Sequence, residues 1–242
     1  MTFSYQGVKV FYKFVGGKSF RPVLLLHGWG CDCTIFDEFI KHFPQKSFLM
    51  IDFPPFGKTN CTPNGWNIFT YASMVISLCE HLKIDKCDIV AHSFGGRVAI
   101  LFCALCPQKV SSCVLCDSAG LKPKRGLSYY RKVWSYKLRK KLHLNVQGYG
   151  SSDYQKLDDE MKKVFVEVVG QMLDEYCPLI ECPTKIIFGQ KDKDTPPYMA
   201  KRFHKLIKNS HMCILPNAGH FSFLDSPLVF AREVSLFWEG LK

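Results

Sequence analysis

The sequence predicts an α/β fold, in which helices cover both faces of a mostly parallel β-sheet. Short continuous apolar runs, typical of strands buried on both faces, alternate with segments of helical periodicity. Several of these runs end in polar residues or glycines, which places chemistry-bearing side chains along one edge of the sheet. The chain of 242 residues is long enough for one domain of this kind with a large buried core.

The predicted elements alternate along most of the chain. In the first half we expect strands over 7–15, 23–26 and 48–51, a strand that leads into Ser93 and another over 110–116, with helices over 34–43, 69–82 and 98–102. In the second half we expect strands over 184–188 and 211–215, and helices over 196–207 and 227–238.

One segment, residues 121–176, interrupts the alternation. It has helical patterns and no convincing strand, and it lies between two predicted strands of the sheet. Ligands bind at the carboxyl edge of open α/β sheets, so a helical insertion there predicts a lid or cap. We therefore divide the chain into a core, 1–120 and 177–242, and a lid, 121–176.

Ser93 is the most informative residue of the chain. An apolar, strand-like stretch ends in a small residue, one spacer, this serine, one spacer and two glycines, and an apolar helical stretch follows. A sharp turn from strand to helix lifts the hydroxyl above the sheet edge, and the helix behind it offers free N–H groups to a developing negative charge. The pattern predicts a nucleophile; the alternative is a turn or N-cap serine.

A serine nucleophile needs a base and a group that orients the base. His220 and Asp192 each lie just beyond the carboxyl end of a predicted strand, in the chain order Ser, Asp, His. His220 has the alternative of a satisfied buried histidine. Asp194 and Asp117 are alternatives for the acid, although Asp194 is also suited to cap the helix predicted near Pro196.

Five ordered motifs resemble the α/β-hydrolase fold superfamily, in its single-domain form with a helical lid. They are HGWG at 27–30, DFPPFG at 52–57, AHSFGG at 91–96, GQKD at 189–192 and GH at 219–220 before FL at 223–224. The resemblance implies a mostly parallel, eight-stranded sheet. It also implies Ser93 as nucleophile, His220 as general base and then acid, Asp192 as the orienting acid, and the backbone N–H groups of Trp29 and Phe94 as oxyanion hole. The motifs depart from the family pattern at Ala91 and Pro55, where glycine is commoner.

The positive charge of the chain is concentrated in the predicted lid. The stretch from Lys122 to Lys141 contains nine of the 32 basic residues and no acidic residue. These nine account for most of the net charge of +11. An apolar stripe runs along the same segment at helical spacing: Leu127, Tyr130, Trp134, Leu138 and Leu142.

We expect an amphipathic lid helix whose apolar stripe faces the pocket. Two alternatives are attraction of anionic substrates and contact with an anionic membrane surface. Nucleic acid is disfavoured because no binding motif accompanies the charge. The residues expected to contact substrate are His27, His92, Tyr130, Trp134 and Phe221.

Composition bounds the location and the cofactors. No apolar run reaches the ~20 residues of a membrane span, and the first residues lack the pattern of a signal peptide, so we expect a cytoplasmic protein. Most of the 12 cysteines lie in apolar runs and are expected to be reduced and buried. Two pairs, Cys103/Cys106 and Cys113/Cys116, have the spacing of zinc ligands, but strand residues three apart face opposite ways, so we expect no metal.

The resulting hypothesis is a serine hydrolase that cleaves a carboxylic ester with a small to medium acyl or aryl group, through an acyl-enzyme and without a cofactor. A lysophospholipase or monoacylglycerol-type lipase that uses the basic lid is an alternative, as is a hydrolase of carbon–carbon bonds or lactones. The non-enzyme alternative is a small-molecule receptor with the same fold and no catalytic activity.

Overall fold

The computed structural model describes residues 1–19, 21–63, 65–142, 144–145, 152–155 and 157–241. Eight strands form one sheet in the order β1-β2-β4-β3-β5-β6-β7-β8. The strands are β1 Thr2–Tyr5, β2 Val8–Val15, β3 Val23–Leu26, β4 Phe48–Ile51, β5 Cys87–His92, β6 Val110–Cys116, β7 Thr184–Gly189 and β8 Ser210–Leu215. From β4 to β8 every neighbouring pair is parallel, which confirms the mostly parallel, eight-stranded α/β sheet.

Helices follow nearly every strand. The α-helices are α1 Asp37–Lys41, α2 Ile68–His81, α3 Phe94–Leu105, α4 Leu127–Lys141, α5 Ser152–Gln155, α6 Asp159–Gly170, α7 Tyr198–Leu206, α8 Ser222–Asp225 and α9 Pro227–Glu239. Short 3₁₀ helices span Cys33–Phe36, Pro107–Lys109 and Cys177–Leu179. No helix in the described parts of the chain is long and apolar enough to cross a membrane.

The sheet separates two apolar layers, which explains the continuous apolar runs of its central strands. In β3, Leu24 and Leu26 face the layer that contains α2 and α3, whereas Val23 and Leu25 face the layer that contains α1 and α9. Successive strand residues point to opposite faces, so a strand covered on both sides needs an apolar residue at every position.

The first strand was not predicted from the sequence. β1 pairs with β2 in antiparallel fashion at the edge of the sheet, and its residues are only exposed or half-buried. An edge strand with little burial needs no apolar run, so the pattern that marks the central strands is absent there.

The strand geometry separates the cysteines of one pair with zinc-like spacing, Cys113 and Cys116. Cys103 and Cys113 are buried in the layer of α2 and α3, whereas Cys116 lies in the opposite layer. All 12 cysteines are free thiols. Burial raises the pKa of a typical one, Cys79, to about 12, so this thiol stays protonated and apolar in character.

Within the described parts of the segment between β6 and β7, the regular elements are α4, α5, α6 and the last 3₁₀ helix, with no strand. The helix α6 packs on the core through Met161, Val164 and Val168. At its carboxyl end the buried guanidinium of Arg97 donates hydrogen bonds to the carbonyl oxygens of Val168, at 3.0 Å, and Gln171, at 2.7 Å. A cation is favourable at a helix carboxyl end, so Arg97 attaches this helix to α3.

The helix α4 is oriented differently from our expectation. Its apolar stripe is exposed, with exposed fractions between 40 and 85%. The half-buried side chains lie elsewhere on the helix: Val133, Ser135, Tyr136 and Arg139. Periodicity identifies which residues share a face, but it does not say whether the fold places anything against that face.

The turn from β5 into α3 requires a glycine at position 95. A Cβ atom at Gly95 would overlap the carbonyl oxygen of Leu26 at the end of β3, well inside any real contact distance. The amino end of α3 therefore lies directly against the neighbouring strand, which brings the loops after β3 and β5 together.

We predict that Gly95→Ala lowers the free energy of unfolding by about 1–3 kcal/mol, because the methyl group must displace backbone. The midpoint of urea denaturation measures this. Gly170→Ala is the matched control, because a Cβ atom there meets nothing within 4 Å. An unchanged midpoint for Gly95→Ala would contradict the close packing described here.

Candidate active site

Ser93 occupies a strained bend between β5 and α3. Its φ is 49° and its ψ is −109°, a region that residues with a side chain rarely adopt. Backbone hydrogen bonds hold the bend: Ser93 N–H donates to the Cys116 carbonyl at 3.1 Å, and the Ser93 carbonyl accepts from Gly96 and Ala119, each at 3.0 Å. Strain of this kind persists only where the surroundings impose it, and it is common at functional sites.

The side chain of Ser93 begins a chain of hydrogen bonds. Its Oγ lies 2.9 Å from Nε2 of His220, and Nδ1 of His220 lies 2.9 Å from Oδ2 of Asp192. An ionised carboxylate only accepts hydrogen bonds, so Nδ1 carries the proton and Nε2 of the neutral ring accepts from the Ser93 hydroxyl. The structure thus brings together the three residues that the sequence predicted as nucleophile, base and acid.

The electrostatics of the pair fit this assignment. Burial disfavours the charged forms of His220 and Asp192. Their hydrogen bonds and the electrostatic attraction between them outweigh this effect of burial. The pKa of His220 is raised above its usual value by Asp192. The pKa of Asp192 is lowered, chiefly by hydrogen bonds from His220 and Thr195. Asp192 is therefore ionised at neutral pH, and His220 is a stronger base than an ordinary histidine.

Thr195 is part of the site, although it was not predicted from the sequence. Its hydroxyl donates to Oδ2 of Asp192 at 2.6 Å, and its backbone N–H donates to Oδ1 at 2.9 Å. The backbone N–H of Asp194 also donates to Oδ1, at 2.8 Å. An aspartate that accepts from N–H groups two and three residues ahead forms an Asx turn, so the spacing Asp-x-x-Thr was the available signal.

The two alternative acids have other places in the structure. Asp117 is fully buried, and its carboxylate accepts from the backbone N–H groups of Gly189, at 2.7 Å, and Ser222, at 3.0 Å. Burial raises the pKa of Asp117 to about 6, against the opposing effect of these hydrogen bonds. Its carboxylate therefore joins the end of β7 to the loop that carries His220.

Asp194 does not cap a helix as its position suggested. The helix α7 begins at Tyr198, and the capping residue Pro197 makes no side-chain cap. Within the described residues, Asp192, Asp194 and His220 form the one group close enough to share a cation. However, Nδ1 of His220 carries the proton donated to Asp192, so it has no lone pair for a metal.

The two predicted oxyanion donors come from the loop after β3 and from the amino end of α3. Phe94 is the first residue of α3, so its N–H is one of the first-turn donors without an intrahelical acceptor. Trp29 follows Gly28, where a Cβ atom would lie 3.3 Å from Cβ of Ser93. The rings of Trp29 and Phe94 lie 5.4 Å apart. The loop after β3 therefore passes directly beside the serine.

The insertion also reaches this loop. The ring of Phe165, on α6, lies 5.1 Å from the ring of Trp29 in an edge-to-face contact. This contact was not predicted from the sequence, because nothing in the periodicity of α6 distinguishes Phe165 from its apolar neighbours. Through this ring contact, α6 supports the loop after β3 that lies beside Ser93.

His27 and His92, expected to contact substrate, are buried and bonded to backbone. Nδ1 of His27 donates to the Gly28 carbonyl at 2.8 Å, and its Nε2 accepts from the N–H of Phe53 at 2.8 Å. Nε2 of His92 donates to the His220 carbonyl at 2.7 Å. Burial lowers the pKa of both rings, that of His92 to about 3, so both are neutral. Neither has the exposure of a pocket residue, and both hold loops in place.

The other three candidates differ in their distance from the serine. The ring of Phe221 is 37% exposed and lies 5.5 Å from the ring of His220, so it borders the site. Tyr130 and Trp134, on the apolar stripe of α4, are 59% and 67% exposed. They lack the burial expected of pocket-lining side chains, and their contact with substrate stays a prediction.

Comparison with known proteins identifies the family of the chain. The model of the Alpha/beta hydrolase family matches residues 23–233, and the chain belongs to that family.

Its relatives include an uncharacterized hydrolase, YugF, of Bacillus subtilis, which is 26% identical over 97% of this chain and 96% of its own length. A pimeloyl-[acyl-carrier protein] methyl ester esterase of Neisseria meningitidis serogroup B is 24% identical over 91% of this chain and 93% of its own. The solved structure of MGS-M2, an alpha/beta hydrolase from a deep-sea metagenome library of the Medee basin, superimposes with a TM-score of 0.79. It is 21% identical, over 99% of this chain and 97% of its own.

The bend at Ser93 has a measurable consequence for stability. We predict that Ser93→Gly is more stable than Ser93→Ala by about 1 kcal/mol, because both lose the hydroxyl but only glycine relieves the positive φ. Chemical denaturation of the two variants side by side measures the difference. Equal stabilities, or a more stable alanine variant, would contradict a strained serine.

Proposed function

We propose that this protein is a serine hydrolase that cleaves a carboxylic ester through an acyl-enzyme intermediate. The observation that carries the proposal is the hydrogen-bonded chain from Ser93 through His220 to Asp192 at the strained bend after β5. A serine hydroxyl is a weak nucleophile by itself, and this arrangement supplies both the base and the group that orients it. Membership in the hydrolase family supports the general class of reaction.

In the acylation step, Oγ of Ser93 attacks the ester carbonyl carbon while its proton passes to Nε2 of His220. The imidazolium that forms is stabilised by the ionised carboxylate of Asp192. When the tetrahedral intermediate collapses, the bond from the carbonyl carbon to the alcohol oxygen breaks. The alcohol leaves with the proton from His220, and the acyl group stays on Ser93.

The negative charge of the tetrahedral oxygen requires donors that already point toward it. The backbone N–H groups of Trp29 and Phe94 are proposed for this role, because the loop after β3 and the amino end of α3 both border Ser93. Preorganised donors need no rearrangement during the reaction, and loss of a single one typically costs ~10²–10³-fold in rate.

Deacylation repeats the same proton transfers with water. Water attacks the acyl carbon while its proton passes to Nε2 of His220, and collapse of the second intermediate breaks the bond to Oγ. The carboxylic acid leaves and Ser93 regains its proton from His220. The cycle consumes one water per ester, and no step requires a metal or cofactor.

The helical segment 121–176 is proposed as the lid over this site. Its helix α6 contacts Trp29 through Phe165, and Arg97 fastens the same helix to α3. The aromatic ring of Phe165, beside Trp29, favours an ester with a small to medium acyl or aryl group. The methyl ester esterase among the relatives supports a carboxylic ester as the substrate.

One observation favours a second candidate, a lipase that acts on lysophospholipids or monoacylglycerols. The exposed apolar stripe of α4, among basic residues, is suited to a lipid surface. Cleavage of lactones or carbon–carbon bonds would use the same three residues. The site residues therefore do not distinguish these reactions from ester hydrolysis, and substrate assays are needed to do so.

We predict that a fluorophosphonate probe labels the wild-type protein and does not label Ser93→Ala. Ser235→Ala, on α9, is the matched control and should label like the wild type. A panel of p-nitrophenyl esters graded by acyl length, with a lactone and a lysophospholipid added, then identifies the substrate class. Equal labelling of Ser93→Ala would overturn the proposal, and an unlabelled wild type would favour a silent receptor.

We predict that kcat/KM rises with pH through an ionisation above the usual value of histidine, because His220 must be neutral to accept the proton and Asp192 raises its pKa. Asp192→Asn removes that charge and leaves the effect of burial. The variant should therefore lose on the order of 10²–10⁴-fold in kcat, and its profile should move to lower pH.

Asp117→Asn is the control for the choice of acid, because this carboxylate bonds backbone rather than His220. It should lose less activity than Asp192→Asn and keep the position of the pH profile more closely. The reverse order of the two variants would overturn the assignment of Asp192.

A further inference from the structure

The apolar stripe of α4 is the most exposed group of large apolar side chains on a single helix in the described parts of the chain. Leu127, Tyr130 and Trp134 are 85, 59 and 67% exposed, and Leu138 and Leu142 continue the same line along the helix. A stripe of leucines and aromatic rings that remains in contact with solvent marks a site of interaction.

Basic side chains lie on the same side of the helix as the stripe. With about 3.6 residues per turn, Arg131 and Lys141 fall between members of the stripe, and Lys137 falls beside it. All three side chains are exposed. The whole stretch from Lys122 to Lys141 contains nine basic residues and no acidic one.

The less exposed side chains of α4 lie away from the stripe. Val133, Ser135 and Tyr136 are half-buried there, and Nε of the half-buried Arg139 donates to the carbonyl of Asn145 at 2.9 Å. The start of the segment is fastened to the core: the N–H of Lys124 donates to the Tyr198 hydroxyl at 3.0 Å, and the N–H of Lys122 donates to Asp174 at 2.8 Å. The stripe therefore faces outward on a helix whose base is attached.

These observations select one kind of partner. A second copy of this chain, joined through the same face, would bring two clusters of positive charge together without a carboxylate between them. A nucleic acid would match the charge but would leave the leucines unused. An anionic bilayer takes both: phosphate groups attract the lysines and arginine, tyrosine and tryptophan sit at headgroup depth, and leucine enters the acyl region.

We propose that α4 is a membrane-docking helix, which binds this protein to the surface of an anionic lipid bilayer through its apolar stripe and its flanking basic residues. The helix lies in the plane of the interface and does not cross it, in agreement with its 15 residues and high charge.

Docking also has a consequence for substrate choice, and this consequence rests on the proposed esterase function. The segment that carries α4 leaves the core after β6, at the sheet edge where Ser93 lies. A protein bound through α4 is therefore held with this edge near the bilayer. Lipid carboxylic esters at the surface, rather than esters free in solution, become the favoured substrates.

Binding is tested with full-length Ser93→Ala, so that no lipid is consumed. We expect it to co-sediment with vesicles of equimolar phosphatidylcholine and phosphatidylserine and not with phosphatidylcholine alone, and to be released by high salt. In the same background, Lys137→Glu/Lys141→Glu should weaken binding at least roughly tenfold. Lys201→Glu/Lys205→Glu, an equal charge change on exposed residues of α7, should have a much smaller effect.

The apolar contribution is tested separately. Trp134→Ala should weaken binding several-fold, whereas Leu228→Ala, at an exposed leucine of α9, should not. A blue shift of tryptophan emission on addition of anionic vesicles should disappear in Trp134→Phe. Thermal denaturation shows whether each variant is folded, and binding loss counts only for folded variants.

Several outcomes would overturn the proposal. These are absence of binding to anionic vesicles, equal weakening by the α7 and α4 charge variants, binding to duplex DNA in place of vesicles, and a dimer that the α4 variants dissociate. Hydrolysis of water-soluble esters by the wild type is measured without vesicles. If that hydrolysis persists while vesicle binding is absent, docking fails and the esterase stands. If vesicles bind the protein but no ester is hydrolysed, docking stands and the esterase fails.

Discussion

The backbone bend at Ser93 is the constraint on which the rest of the site depends. A residue with a side chain keeps a φ of 49° only where the surrounding structure imposes this backbone conformation. Hydrogen bonds to the Cys116 carbonyl and from Ala119 tie the bend to β6 and to the loop after it. The absence of a side chain at Gly95 lets α3 begin directly against β3. Ser93, the loop after β3 and the neighbouring strand ends are thereby set at fixed distances.

Two buried aspartates, Asp192 and Asp117, hold the site together, and their hydrogen-bond partners give them different roles. Asp192 accepts hydrogen bonds from Thr195 and His220, which keep it ionised and make it a charge partner for the base. Asp117 accepts from two backbone N–H groups, and burial raises its pKa to about 6. It holds β7 and the loop of His220 together, so the geometry around Asp192 rests in part on a carboxylate that accepts hydrogen bonds from backbone.

Much of the fold could be predicted because strands buried on both faces must be apolar at every position. For example, β6 was predicted at Val110–Cys116, which are its bounds in the structure. The three site residues were predictable because parallel strands end at one edge of the sheet. Neither β1 nor the role of Thr195 was predicted: β1 is half-exposed and has no apolar run, and the bond from the Thr195 hydroxyl to Asp192 leaves no trace in the periodicity. The apolar stripe of α4 was expected to face the pocket but is exposed, because a repeat of three and four defines a face but not its neighbour.

The insertion combines an attached helix and an outward-facing one, and the charges explain the difference. Arg97 is buried with two carbonyl acceptors at the end of α6, and burial lowers its pKa only to about 10, so it remains a cation at neutral pH. Moving α6 away would leave this buried charge without partners, which is costly. Lys137 and Lys141, near the stripe of α4, are exposed, and exposed lysines are stable in water on any side of a helix. The contact of Phe165 with Trp29 therefore belongs to the attached helix, whereas the apolar stripe of α4 is open to solvent.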